Sequence, residues 1–128
     1  MSETCPCGLG RPYAECCGRF HAGEELPPTA EALMRSRYTA YVLGLADYLI
    51  ATWHPSTRPA TLDHEGGPRP KWLGLKVLAH SQDDATHARV EFVARYKIGG
   101  RAHRMHELSR FLREDGRWFY LDGEPGEG

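Results

Sequence analysis

Cys5-Pro6-Cys7-Gly8-Leu9-Gly10-Arg11-Pro12-Tyr13-Ala14-Glu15-Cys16-Cys17-Gly18 holds every cysteine in the chain. Cys5 and Cys7 flank one residue, and Cys16 and Cys17 are adjacent. Between the pairs lie Gly8, Gly10 and Pro12, residues that let a chain reverse direction. One pair can therefore grip one side of an ion while the other closes the opposite side. Zinc takes four such ligands at tetrahedral corners, about 2.3 Å away when they are thiolates. A site with four protein ligands leaves no open position for substrate, so it points to folding and partner binding rather than to metal catalysis. Gly8 and Gly18 each follow a cysteine, where a turn needs positive φ or the backbone must approach sulfur. Three alternatives stay open at this point: disulfides, free thiols, and His21 replacing Cys17 as fourth ligand. A vicinal Cys16–Cys17 bond would be strained, and Cys17 is a softer ligand than His21. The expectation is one structural zinc on Cys5, Cys7, Cys16 and Cys17.

These residues resemble the SEC-C motif, the small zinc knuckle at the C-terminus of the SecA translocation ATPase. That pattern runs CxCGSGxxYxxC, then His or Cys, then Gly. Leu9 stands where the motif has Ser, at a position that is not a ligand. The resemblance implies that the four cysteines hold the metal and that Tyr13 packs within the knuckle. It also implies a protein partner, because the SecA knuckle contacts a chaperone and the ribosome. Arg11, Tyr13 and Arg19 would be the exposed contacts.

The 128 residues suffice for one compact domain plus a small appendage. Lysines and arginines number 16 against 17 acidic residues, a formal net charge of −1. That balance argues against a general nucleic-acid binder, which would be basic. No apolar run approaches the length of a membrane span. Met1-Ser2-Glu3-Thr4 does not read as an export signal, which sets the expectation of a cytoplasmic protein.

After the knuckle, Pro27-Pro28 leads to Thr29, a good N-cap, with Glu31 in the first turn that follows. Ala30, Leu33, Met34, Arg37, Tyr38, Tyr41, Val42 and Leu45 recur at helical spacing, and Gly44 is a natural stop. Leu45 to His54 reads as a second short helix ended by Pro55. Ser56 to Asp63 is expected to form a third, and Glu65 to Pro70 a loop. The period then switches to alternation. Trp72 to His80, His87 to Lys97, Arg101 to Arg113 and Arg117 to Asp122 read as strands joined by turns at Gln82-Asp83-Asp84, Gly99-Gly100 and Glu114-Asp115-Gly116. Gly74 marks a bulge. Helices first and an antiparallel meander second is an α+β plan.

Two features of this plan carry chemistry. Arg37 sits in the middle of the apolar face of its helix, where an unpaired charge is costly. It must snorkel to water, or line a pocket with a partner elsewhere in the chain. On the long strand, His103, Met105, Glu107, Ser109 and Phe111 share a face, so Glu107 and Ser109 are polar groups framed by apolar ones. Glu107 is the natural candidate to pair with Arg37. His54, just before a proline, is a weaker candidate for a catalytic base than for a loop contact.

Three helices and a curved sheet resemble the nuclear transport factor 2-like cone, the fold of ketosteroid isomerase and scytalone dehydratase. More specifically, the chain resembles the bacterial YchJ family of SEC-C proteins. The match rests on the knuckle, on Ala30 to Tyr38, on Thr52-Trp53-His54-Pro55, on His106 to Phe111, and on the closing Gly116-Arg117-Trp118-Phe119-Tyr120-Leu121-Asp122-Gly123. Longer members carry a second knuckle; the cysteines of these 128 residues provide for one. The resemblance implies residues 1–24 as the zinc knuckle and 25–123 as the cone, and the Gly-, Glu- and Pro-only residues 124–128 read as a disordered tail. It carries no activity over, since this fold serves enzymes and inert binding modules alike. The sequence shows no nucleophile elbow, phosphate loop or HExxH. The leading expectation is a non-enzymatic adaptor that docks a protein through its knuckle. The alternative is a cone pocket for a small molecule, formed by Arg37, Tyr38, Tyr41, Trp53, His54, Glu107 and Ser109. In an enzyme of that kind Glu107 would be the base and Tyr41 or Tyr38 the proton donor, with His54 a further candidate.

Overall fold

Thr29 ends the Pro27-Pro28 segment, and its side chain accepts a hydrogen bond from the Ala32 amide at 3.0 Å. That satisfies one of the amides a helix start leaves open. The helix it begins, α2 (Ala30–Leu43), stops at Gly44, whose φ of 76° is the left-handed cap anticipated from the sequence. The computed structural model describes residues 4–59 and 71–125. Within them a 3-10 turn (Tyr13–Glu15) and α1 (Cys17–His21) belong to the Cys-rich segment. After α2 comes the short α3 (Ala46–Ala51).

Four strands follow, β1 (Lys71–Gln82), β2 (His87–Ile98), β3 (Arg101–Glu114) and β4 (Arg117–Pro125). They form one antiparallel meander in chain order. Gly99 and Gly100 both have positive φ, as the tight β2–β3 hairpin requires. Register shifts at Trp72/Gly74, Val77/Ala79 and Arg110/Phe111 are bulges that bend the sheet. The hollow face of the bent sheet presents Ala88, Val90, Phe92, Ala94, Phe111 and Trp118 to α2, and Leu33, Met34 and Tyr38 pack into it. This is the α+β cone: the described residues hold three helices, α1 in the Cys-rich segment and α2 and α3 over the four-stranded antiparallel sheet.

Two local expectations change. Ser56 does not begin a helix: Pro55–Thr57 form a turn, and residues 60–63 of the expected third helix lie outside the described residues, as does the loop 65–70. The reason is visible in the backbone. The chain after α3 is held along β4, with the His54 amide on the Tyr120 carbonyl and the Tyr120 amide on the Thr52 carbonyl, both at 2.8 Å. The turn itself is tied to the same strand, because the Thr57 hydroxyl donates to the Leu121 carbonyl at 2.6 Å. The second change concerns the C-terminus. Glu124 and Pro125, assigned to a tail, continue β4 opposite Leu108 and Glu107. β4 is an edge strand, where a proline without an N–H is tolerated. Residues 126–128 lie outside the described residues. Among the described residues no helix is long and apolar enough to cross a membrane.

Replacing Thr29 by Ala should lower stability by about 1 kcal/mol, and Thr29→Ser should be close to neutral. Urea unfolding followed by circular dichroism measures both.

Candidate functional site

The Cys-rich segment folds back on itself where its glycines allow. Gly8 and Gly10 have φ of 89° and 77°. The turn they make returns the chain so that the Cys5 amide donates to the Arg11 carbonyl at 2.8 Å. Gly18 has no left-handed φ; its constraint is close approach, because a Cβ there would sit 2.7 Å from the Tyr13 carbonyl oxygen. Cys5, Cys7, Cys16 and Cys17 are all buried free thiols. Their sulfurs lie within 4.8 Å of one another, so the group could hold a metal ion. Cys7 and Cys16 sulfurs are 3.5 Å apart. Thiolates at about 2.3 Å from a tetrahedral ion are separated by about 3.8 Å, so the four donors suit a thiophilic cation.

The protonation pattern fits the same conclusion. The Cys7 thiol is lowered to about 5, chiefly because Cys17 hydrogen-bonds to it. Burial pushes Cys16 up to about 11, and the bond to Cys7 pushes Cys17 up as well. Of the shifted thiols, Cys7 is the one favoured as a thiolate, with Cys17 donating to it. A bound divalent ion would supply the positive charge needed to ionise the rest.

His21 is not among the sulfurs' partners. Its Nε2–H donates to the Ser36 carbonyl at 2.9 Å, which leaves Nδ1 to accept from the Tyr13 hydroxyl at 2.6 Å. Tyr13, expected both to pack within the knuckle and to serve as an exposed contact, packs: it is half-buried against the thiols and tied inward to His21. Arg19 is partly exposed: it donates to the Cys16 carbonyl at 3.1 Å and reaches the Glu25 carboxylate at 3.5 Å. At the tip, Leu9 and Arg11 are exposed.

The thiol cluster rests on α2. Thr39 is fully buried, and its hydroxyl lies 3.4 Å from the Cys17 sulfur and 3.7 Å from that of Cys5. Arg35 donates to the Cys7 carbonyl at 2.7 Å while its Nε holds Glu31 at 2.9 Å. Glu31 in turn faces His80 of β1 at 3.0 Å. One side of α2 is thus committed to the knuckle.

The other side opens on a cavity of about 260 Å³. Arg37, Tyr38, Tyr41, Trp53, Glu107 and Ser109 all line it, together with Met34, Trp72, Phe92, Phe111 and Tyr120. His54 does not. Its ring bonds Glu114 and the Ser56 hydroxyl and packs on Phe119, pinning the turn after α3 to the β3–β4 hairpin. The backbone bonds of Thr52 and His54 to Tyr120 hold the chain along β4 there.

Arg37 and Glu107 face the same cavity but do not pair. The Arg37 Nη1 donates to the Leu49 carbonyl and the Thr52 hydroxyl, both at 2.8 Å. Its guanidinium lies 4.5 Å from the centre of the Tyr120 ring and 5.1 Å from that of Trp53. Backbone, hydroxyl and ring faces replace the carboxylate expected from the sequence. Burial lowers the Arg37 pKa, while Tyr41, Tyr120, Tyr48 and Glu107 oppose the shift. An arginine keeps its charge under such conditions. Glu107 accepts from the Ser109 hydroxyl and lies over Gly123, where a Cβ would collide with its carboxylate. Burial raises the Tyr120 pKa, and the Glu107 charge adds to the effect. Tyr120 and Trp72 escaped the sequence reading of the pocket. Tyr120 shares the inward alternation of Trp118, which was a usable signal; Trp72 turns inward ahead of a bulge, which was not.

Residues 29–123 match the family model described as YchJ, middle NTF2-like domain, and residues 1–19 match the SEC-C motif. A UPF0225 protein of Cupriavidus metallidurans is 64% identical over 129 residues, covering 96% of this chain and 89% of the relative. The solution structure of a SEC-C motif containing protein from Rhodopseudomonas palustris is 36% identical with a TM-score of 0.84, covering 99% of this chain and all of that one. The crystal structure of a SEC-C motif containing protein from Psychrobacter arcticus is 31% identical with a TM-score of 0.78, covering 98% and 84% respectively. By its knuckle, its cone and these relatives, the chain belongs to the YchJ-like family of SEC-C proteins with a middle NTF2-like domain.

Proposed function

We propose that this chain is a small-molecule-binding protein whose site is the cone cavity, and whose knuckle is a zinc-loaded clamp on the helix that carries Arg37. The observation that supports the reading is the state of Arg37. A buried guanidinium normally meets a carboxylate, and a carboxylate is available on the facing strand. Glu107 instead stands apart, with the cavity between the layers. Two opposite charges held out of contact around an aromatic-walled space form a site for something that bridges them.

In this reading Cys5, Cys7, Cys16 and Cys17 hold zinc, which supplies cross-linking rather than chemistry. The Thr39 hydroxyl orients the sulfurs and fixes α2 beneath them. A reducing, cytoplasmic compartment keeps the thiols available to the metal. A second reading places a protein partner on the tip of the knuckle, and the exposure of Leu9 and Arg11 favours it. Unchanged co-purifying proteins after the double change Leu9→Asp and Arg11→Glu would dispose of that reading.

Two measurements test the main proposal. Native mass spectrometry of untagged protein should show one zinc per chain and a retained small molecule, and Arg37→Met should keep the zinc and lose the molecule. Zinc alone, with Trp fluorescence unmoved by a fragment screen, would overturn the binding role. For the clamp, Thr39→Val should weaken zinc about tenfold or more in competition with a chelator, while Thr39→Ser retains it.

A further inference from the structure

Resting on the reading of the cone cavity as a binding site, we infer that its ligand is a neutral, flat, two-ring compound presenting a carbonyl oxygen and an N–H on one edge, as a fused lactam does. The polar groups set the charge and the edge. Arg37 and Glu107 both line the cavity beside β4: the guanidinium lies over the Tyr120 ring, and the carboxylate, held by the Ser109 hydroxyl, lies over Gly123 of the same strand. They therefore belong to the same end of the cavity. Arg37 offers donors and Glu107 an acceptor, one charge of each sign. An anion would gain Arg37 but be repelled by Glu107, and a cation would meet the reverse. A neutral molecule with an acceptor beside a donor satisfies both and relieves the cost of two separated, partly desolvated charges. Unlike a single carbonyl, it leaves neither side unpaired.

The remaining walls set shape and size. Trp72, Tyr38, Tyr41, Phe92 and Phe111 supply ring faces and edges. Tyr38 and Tyr41 each lie close to the Trp72 ring, with centroids 5.6 and 6.0 Å away. Such walls favour flat unsaturated ligands. A cavity of about 150 Å³ holds one benzene ring. The 260 Å³ here has room for two fused rings.

Isothermal titration of the zinc-loaded protein with three probes tests the assignment: isoquinolin-1(2H)-one, its N-methyl derivative, and 1-naphthoate. The lactam should bind most tightly. The N-methyl compound and naphthoate should each be weaker by about tenfold or more, the scale of one hydrogen bond to a charged group. In Glu107→Gln, with the fold checked by circular dichroism, the lactam should weaken and naphthoate should gain. If naphthoate binds the unaltered protein better than the lactam, or if all three bind alike, the ligand class is wrong while the cavity remains a binding site. If none of the three binds the unaltered protein or Glu107→Gln, the ligand class is wrong, and the binding-site reading falls only if native mass spectrometry and the fragment screen are blank as well.

Discussion

Helix α2 has to satisfy four buried sulfurs on one side and a curved sheet on the other, and the rest of the structure follows from that demand. On the knuckle side it offers Thr39 to the thiols of Cys5 and Cys17, Arg35 to the Cys7 carbonyl, and its own Ser36 carbonyl to His21. On the sheet side it offers Met34, Arg37, Tyr38 and Tyr41 to the cavity. Residues three and four apart on a helix share a face, so Arg35 and Thr39 fall together and Arg37 and Tyr41 fall together. A metal gripping the sulfurs would fix one face and thereby position the other. The knuckle in this fold is therefore packed into the domain rather than appended to it.

Arg37 illustrates how the cone keeps a charge inside without neutralising it. Removing a guanidinium from water is costly, and pairing it with Glu107 would offset much of that cost while closing the gap between helix and sheet. The structure instead uses the carbonyl left open at the end of α3, the Thr52 hydroxyl, and the faces of Trp53 and Tyr120. Cation–π contacts of this kind strengthen when water is excluded. Glu107 is placed with equal care, with a serine hydroxyl on one oxygen and a glycine beneath it. The cavity persists because each charge has its own support.

Much of this was legible in the residues. The cysteine spacing pointed to the cluster, the cap residues Thr29 and Gly44 marked both ends of α2, and the alternation of β3 put Glu107 and Ser109 on the inner face. What escaped was set by tertiary contacts. Thr39 reads as an ordinary helix residue until four sulfurs are placed beside it. Arg37 and Glu107 looked like a pair because both are inward and opposite in charge, but sequence does not carry the depth of the hollow between them. His54, read as a loop contact before a catalytic base, is held in that place by backbone bonds between Thr52, His54 and Tyr120. How far Tyr13 is drawn in was also hidden, because its close approach depends on Gly18 having no side chain.

The claim at the centre is that the thiol cluster and the cavity are two faces of one helix. Amide hydrogen exchange before and after removal of metal with a chelator tests it most directly. Loss of protection in the knuckle should spread through residues 33–40 of α2 to the amides of Thr52 to His54 that hold the cavity wall. Increased exchange confined to residues 5–21, with α2 unchanged, would contradict it.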